Sequence, residues 1–415
     1  RLFSESAPQE YSLWYCDIKN FKYINDLFGF HTGNLILKYW ASCLKDSCRE
    51  DEAFCRISDD NFAFLWRLDE QDRLRERFNG LADRLASFGP FEEKNYQVEL
   101  ISGVYIPENP CGMDIDEMLN RANMARKSIV SPRGSRILFF TEELRKKALA
   151  GIEMEAEMRS ALDKEEFVLY FQPQIKLTDV SGQKAHRAEA LVRWMRNGRI
   201  YAMPDDFIGL FEKNGMIAEL DLYIYERICI LINRFKACGL TSVCIAVNVS
   251  RHTMMQPDFV ETYLEIKKRY RIEDDELELE FTESIAVEEL ELMQKVLKQL
   301  KKAGFICAMD DFGTGYSSLN VLQILPLDIL KLDKGFLACE GEDRRRQIVV
   351  KSVLQMAKQL DMLTIVEGVE NEEQLHLLQK VGCDYLQGFL VSPPLSEDEY
   401  RSFVKEEEFH GGESE

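Results

Sequence analysis

The stretch Ala308-Met309-Asp310-Asp311-Phe312-Gly313-Thr314-Gly315-Tyr316-Ser317-Ser318-Leu319 sets two adjacent carboxylates between an apolar run, Phe305–Met309, and a glycine-rich turn. Two neighbouring aspartates at a strand end repel each other unless positive charge sits between them. A divalent cation meets that need, because hard cations take oxygen ligands. The glycines permit backbone conformations that other residues resist and leave room for a ligand. A solvated loop after an edge strand could carry the same Asp310-Asp311-Phe312-Gly313, so the rest of the chain has to decide.

It does so by repetition. Eight strand-like runs recur after about Glu155: Phe167–Gln172, Ala188–Trp194, Val243–Val249, Leu277–Phe281, Phe305–Met309, Ile329–Leu332, Leu363–Val366 and Tyr385–Leu390. Helical stretches such as Asp221–Lys236, Val287–Ala303, Arg345–Leu360 and Glu372–Val381 lie between them. That alternation predicts an α/β fold built as a (β/α)8 barrel. The interval from Pro173 to Ala188 lacks a crossover helix, so the first strand is expected to run antiparallel. Nearly every run carries, at or near its end, a polar group able to bind metal or phosphate: Gln172, Glu189 with Arg193, Asn248, Glu280 with Glu283, Asp310 with Asp311, Lys331, Glu367 and Gln387. In a barrel such groups converge on one face, where active sites lie. A core has no use for them, since buried unpaired charges cost several kcal/mol each in effective terms. An oxygen-rich set without His or Cys suits Mg²⁺ or Mn²⁺ better than Zn²⁺, and two metals can activate water and clamp a phosphate.

The region before about Phe140 also alternates strands and helices. Tyr11–Cys16 reads as a strand ending at Asp17, and a helix through Asn34–Trp40 follows. Cys55 and Ile57, then Phe62, Phe64 and Trp66, flank the turn Ser58-Asp59-Asp60-Asn61 in a hairpin pattern. Leu74 to Phe88 and Ile115 to Ile129 read as helices, and Tyr96 to Tyr105 as a strand. Thr141 is placed to cap a connecting helix that opens with Glu142 and Glu143 and runs to Leu162, with a break expected near Gly151.

Two resemblances follow. Asp17 to Asp26, Arg56 to Phe62 and Arg121 to Lys127 resemble a GGDEF domain, the palm-like diguanylate cyclase fold. Glu189-Ala190-Leu191-Val192-Arg193 resembles the signature of EAL domains, the cyclic-di-GMP phosphodiesterases. The second match extends through Tyr170–Pro173, Val247–Ser250, Leu279–Ser284, Asp310–Ser318, Leu330–Asp333, Val366–Glu370 and Tyr385–Phe389. The division this implies is a degenerate GGDEF domain over 1–140, a connecting helix over 141–154, an EAL domain over 155–409 and a disordered tail over 410–415.

The EAL resemblance implies hydrolysis of cyclic-di-GMP to linear pGpG. It assigns Glu189, Asn248, Glu280 and Asp310 to one metal, and Asp310, Asp311 and Glu367 to a second metal and the attacking water. Lys331 orients water or meets charge on the phosphate, with a salt bridge to Asp311 or Asp333 as its other role. Gln172, Arg193, Glu370 and Gln387 face the substrate, and Glu283 anchors the Gly313–Ser318 loop. The alternative is a non-catalytic cyclic-di-GMP receptor, against which the intact Glu189, Asp310, Lys331 and Glu367 argue.

The first region departs from its family. Ser58-Asp59-Asp60-Asn61-Phe62 replaces Gly-Gly-Asp/Glu-Glu-Phe, and puts a negative side chain where phosphates would lie. Lys19 replaces an aspartate and is expected to pair with Asp17 or Asp60, and Asn34 replaces another aspartate. Asp17, Lys22, Asn25 and Asp60 remain as a residual nucleotide site. The expectation is no synthesis of cyclic-di-GMP, with GTP as a regulatory ligand or a purely structural role for the region.

Composition limits the partners. The formal net charge is -20 over 415 residues, which disfavours nucleic acid polymers and anionic membranes. The 11 cysteines, several in apolar runs, read as reduced thiols of a cytoplasmic chain. A homodimer is expected from the resemblance. The sequence starts at Arg1 rather than Met, which leaves open a sensor or membrane segment ahead of it.

Overall fold

The computed structural model describes residues 10–89, 96–107, 114–129, 135–177, 186–240, 243–313, 319–337 and 344–410. The chain divides into two compact units, Arg1–Glu153 and Met154–Glu415. The division falls inside one helix, Glu142–Asp163, which runs through Gly151 without the expected break. Thr141 caps it: its Oγ1 accepts the Leu144 N–H at 3.1 Å.

The first unit is a five-stranded sheet of β1 (Tyr11–Ile18), β2 (Ala53–Ser58), β3 (Asn61–Arg67), β4 (Leu100–Tyr105) and β5 (Arg136–Phe139), in the order β2-β3-β1-β4-β5. Alternation along β1 divides its side chains between two cores. Trp14, Cys16 and Ile18 pack with Ile24, Trp40, Phe78 and Leu81 from the helices Phe21–Ser47 and Gln71–Ala86. Tyr11 and Leu13 pack with Met118 and Ala122 of the helix Ile115–Lys127. β2 and β3 form the expected hairpin. Ser58 pairs with Asn61, so Asp59 and Asp60 are its two-residue turn. Asp59 sits at φ 37, a left-handed conformation that a short polar side chain tolerates. β5 was not foreseen.

The second unit closes into a barrel. Its strands are β6 (Phe167–Lys176), β7 (Arg187–Arg196), β8 (Arg199–Ala202), β9 (Cys244–Asn248), β10 (Leu277–Thr282), β11 (Ile306–Phe312), β12 (Ile329–Leu332), β13 (Leu363–Val366) and β14 (Tyr385–Gln387). The order β6-β14-β13-β12-β11-β10-β9-β7 returns to β6 through a β6–β7 pairing, and β8 extends β7 as a hairpin. β6 is antiparallel to both neighbours, β7 and β14, while the other barrel pairs are parallel. The segment between β6 and β7 is too short for the crossover that a parallel pair requires.

Helices cover the outside. In Leu290–Lys302, Met293, Val296, Leu297 and Leu300 are buried at helical spacing and its lysines face out. The single helix expected over Val287–Ala303 is instead two, Glu283–Glu288 and Leu290–Lys302. They meet at Glu289, whose backbone (φ -128, ψ 40) is not helical. No glycine or proline marks that break. The helix Glu397–His410 reaches the start of the expected tail, and 411–415 lie outside the described residues, as does 314–318 of the expected loop. No helix among the described residues is long and apolar enough to cross a membrane.

Candidate functional site

The barrel register brings the expected residues to one end. Glu280 pairs with Asn248 and Thr282 with Asp310 across parallel strands, and Gln172 lies opposite Glu189 across β6 and β7. β11 carries a bulge between Met309 and Phe312, with Asp311 at φ 56. A non-glycine residue held there stores local strain, as is common at functional sites. The Asp311 N–H donates to Asp310 Oδ1 at 2.8 Å, which fixes the neighbouring carboxylate. Glu283, buried, accepts the Gly313 N–H at 2.8 Å, so the expected anchor contact is present at the first residue of that loop. Gly313 has φ +100, and a Cβ on it would lie 2.1 Å from the Phe336 ring.

Lys331 occupies the middle of the set and is fully buried. Its Nζ lies 2.7 Å from Glu367, 2.8 Å from Glu280, 3.2 Å from Asp310 and 3.3 Å from Glu189. Glu189 also accepts from Asn248 Nδ2 at 2.9 Å and from Gln387 Nε2 at 2.6 Å. Burial works against the Lys331 charge, but Asp310, Glu189, Glu280 and Glu367 outweigh it and push the lysine well above its ordinary range. Burial also opposes ionisation of Glu189, yet Lys331, Gln387 and Asn248 hold that carboxyl below the usual range. The others go the opposite way. Burial, with one lysine to share, raises Glu280 and Asp310, and pushes Glu367 up to about 8. Burial and then Asp310 raise Asp311.

This pattern fits a cation site. Carboxylate oxygens of Glu189, Glu280 and Asp310 lie within 4.8 Å of one another, as do those of Asp310, Asp311 and Glu367. Asp310 is common to both groups. Both Glu280 oxygens and Glu367 Oε1 are buried without a hydrogen-bond donor in good geometry. Oxygen donors alone suit Mg²⁺ or Mn²⁺.

Other expected residues divide. Arg193 is buried near the Tyr170 ring, two alternations along β7 from Glu189, and burial lowers its pKa. Gln387 joins the cage through Glu189 and also reaches Gln172 at 3.5 Å. Glu370 is exposed, and its N–H donates to Gln374; the structure does not draw it into the cage. The salt bridges suggested from Lys331 to Asp311 or Asp333 are not those formed. Asp333 instead caps a short turn, accepting the Gly335 N–H at 2.7 Å.

Three polar residues beside the cage were missed: the buried Gln174, which donates to Gln387 at 2.9 Å, and the ion pair of the partly buried Arg187 with the buried Glu278. Arg187 and Glu278 each stand two positions before a cage residue, Glu189 and Glu280. Strand alternation therefore puts them on the same inward face, and that signal was available.

The first unit's acidic pair is arranged differently. Asp17 is ion-paired with Arg126, which also donates to Asn123 at 3.0 Å. Lys19 pairs with Glu99 at 2.7 Å rather than with Asp17 or Asp60, because β4 brings Glu99 beside the end of β1. Burial raises Asp17 and Asp60, and each is within electrostatic reach of Arg126. Lys22 is exposed, and Asn25 lies over Gly33, with its Oδ1 1.9 Å from where a Cβ would be.

Comparison with known families decides the membership. The EAL domain family model matches residues 155–394. The chain belongs to the EAL-domain family. The model for the diguanylate cyclase, GGDEF domain matches residues 2–130 of this EAL-domain protein, ahead of the barrel. It is 29% identical over 384 residues to the cyclic di-GMP phosphodiesterase NbdA of Pseudomonas aeruginosa, covering 92% of this chain and 48% of NbdA. It is 28% identical over 397 residues to the bifunctional diguanylate cyclase/cyclic di-GMP phosphodiesterase MucR of the same species, covering 95% and 57%. The chain spans about half the length of the curated relatives it matches. Among solved structures, the PaMucR phosphodiesterase in complex with c-di-GMP aligns with TM-score 0.56 at 30% identity, covering 60% of this chain and 99% of that one. An EAL domain protein from Listeria monocytogenes aligns with TM-score 0.53 at 29% identity, covering 60% and 97%.

Proposed function

We propose that the barrel hydrolyses one phosphodiester of cyclic-di-GMP to give linear pGpG, with Mg²⁺ or Mn²⁺ as the required ion. The observation that carries this reading is the carboxylate cage around Lys331, built from Glu189 on β7, Glu280 on β10, Asp310 on β11 and Glu367 just after β13. With Asp311 and the buried Glu278 included, six carboxylates face two cations, Lys331 and Arg187. The surplus of four negative charges is what two divalent ions neutralise. Glu189, Asn248, Glu280 and Asp310 are the proposed holders of one ion, and Asp310, Asp311 and Glu367 of the other. When bound, the ions supply an activated water and a clamp on the phosphate oxygens.

The chain's own residues do the rest. Gln387 and Asn248 fix the orientation of Glu189 by donating to its two oxygens. Lys331 is a fixed positive charge in a water-poor site, placed to stabilise negative charge growing on the phosphate. Glu367, raised by burial in the metal-free cage, would be ionised with the ions bound and is then suited to hold the attacking water and take its proton. Arg193 is the proposed contact for a substrate phosphate, and Gln172 and Gln387 for the rest of the ligand. Glu283 holds the chain just beyond Asp311 through Gly313.

The first unit is proposed to be catalytically silent. The Asp17–Arg126 ion pair and the negative Asp59 in the hairpin turn support this, since each opposes a metal-bound triphosphate. GTP as a regulatory ligand rests on Lys22, Asn25 and Asp60. With Asp17 committed to Arg126, the nucleotide would be held without an ion on Asp17. A homodimer and a cytoplasmic location remain parts of the proposal.

The test is incubation of the purified chain with cyclic-di-GMP and Mg²⁺, then with chelator, and separation of products by chromatography. pGpG with Mg²⁺ and intact substrate with chelator is the expected result. Intact substrate in both arms, with measurable ligand binding, would make the protein a receptor.

A further inference from the structure

Beneath the cage lies a second ionic layer that the proposed reaction does not use. Arg187 and Glu278 form an ion pair inside the barrel; Arg187 retains 13% of its side-chain exposure and Glu278 none. Each sits one alternation below a cage carboxylate on its own strand, Arg187 below Glu189 on β7 and Glu278 below Glu280 on β10. The guanidinium lies over the Tyr385 ring at 5.4 Å, and Tyr385 packs on an apolar cluster of Ala308, Ile329 and Ile365. Glu278 Oε1 and Arg187 Nε have no partner among the described residues.

Such a pair is an expensive way to fill a barrel. Replacing a buried ion pair with apolar residues of similar size is often neutral or stabilising. Its charges nevertheless reach the cage: Glu278 interacts electrostatically with Lys331, Glu189 and Asp310 as well as with Arg187. We infer that Arg187 and Glu278 are a positioning pair that sets the cage's affinity for divalent ions. In this arrangement Arg187 also keeps Glu278 engaged, and so leaves Lys331 to the four carboxylates above it. The inference rests on the metal-dependent reading of the cage.

The physical signature is a pair of opposite signs. Removing Arg187 leaves one more uncompensated negative charge below the cage, so ions bind tighter. Removing the charge of Glu278 leaves a guanidinium alone there, so ions bind more weakly. Damage to packing would weaken both.

The experiment is calorimetric titration of Mn²⁺ into the metal-free full chain at one fixed pH, with thermal unfolding of each metal-free variant as a check of the fold. Arg187→Met is expected to tighten Mn²⁺ binding at least about tenfold, and Glu278→Gln to weaken it at least about tenfold, since a unit charge one strand alternation, about 7 Å, from a divalent ion changes its binding by roughly that factor even at the dielectric of water. Arg187→Lys keeps the charge and should retain wild-type affinity. The double variant Arg187→Met/Glu278→Met should return close to it. If Arg187→Met does not fold, the other single variants decide: weaker binding in Glu278→Gln with wild-type affinity in Arg187→Lys supports the pair, and any other result overturns it. Wild-type uptake with both charge-removing variants shifted the same way, or unshifted, overturns this inference alone. A wild-type chain that takes up no Mn²⁺ overturns the metal reading and this inference with it.

Discussion

The two units each place aspartates at strand ends and in nearby turns, but they balance those charges differently. In the first, Asp17 meets Arg126 one to one and Lys19 meets Glu99. In the second, Lys331 is shared among four carboxylates. One cation cannot neutralise four anions, so the barrel retains a surplus that an ion can meet, while the first unit has spent much of its own internally. Acidic residues at strand ends therefore do not by themselves mark a metal site. What matters is the charge left after the protein's own cations are counted.

The sharpest way to break the contrast is to remove a cage ligand. Glu189→Ala should lower Mg²⁺-dependent turnover of cyclic-di-GMP by more than about a hundredfold, since even outer-shell changes at metal sites cost 10–100-fold. Wild-type rates in that variant would dismiss the assignment. Ca²⁺ should support ligand binding better than turnover, because its looser coordination positions water less strictly.

A second effect concerns pH. In the metal-free protein Glu280, Asp310 and Asp311 are raised, and Glu367 reaches about 8. Groups raised in the folded state stabilise it fully below their unfolded range, about 4, and lose that contribution as pH rises through the folded value. Glu189, held low, is ionised in both states across this window and adds no slope. The Tm of chelator-treated protein should fall by several degrees from about pH 5 to about pH 8, and Mg²⁺ should remove most of the fall. A flat or rising profile would show that the carboxylate surplus is not felt.

In the first unit, Arg126→Leu should cost about 1–3 kcal/mol by leaving the half-buried Asp17 unpaired, read by denaturant unfolding. An unchanged midpoint would mean that Arg126 does not neutralise Asp17. The smallest expected effect is none at all. In an Asp310→Asn background, where hydrolysis cannot hide synthesis, GTP with Mg²⁺ or Mn²⁺ should yield no cyclic-di-GMP. Detectable product would restore the first unit as a cyclase.

Much of the barrel could be read from the chain because its strands are short, apolar and each ended by a polar group. The antiparallel β6 followed from a missing helix. What escaped depended on distant neighbours. Arg126 reaches Asp17 only after the chain has folded β1 against the helix Ile115–Lys127, and Lys19 finds Glu99 only through the β1–β4 pairing. β5 and β8, four residues each, lack the polar group at the end that marked the equally short β12 and β13. Gln174 and Arg187 lie just outside the expected runs Phe167–Gln172 and Ala188–Trp194, and Glu278 stands at the start of its strand, although alternation alone puts Arg187 and Glu278 inside.

The most direct measurement of the central claim is the stoichiometry of Mn²⁺ taken up by the metal-free full chain, wild type against Asp310→Asn. Asp310 belongs to both carboxylate groups of the barrel. The account predicts two ions per chain in the wild type and loss or strong weakening of both in the variant. Uptake unaffected by Asp310→Asn, or no uptake by the wild type, would contradict it.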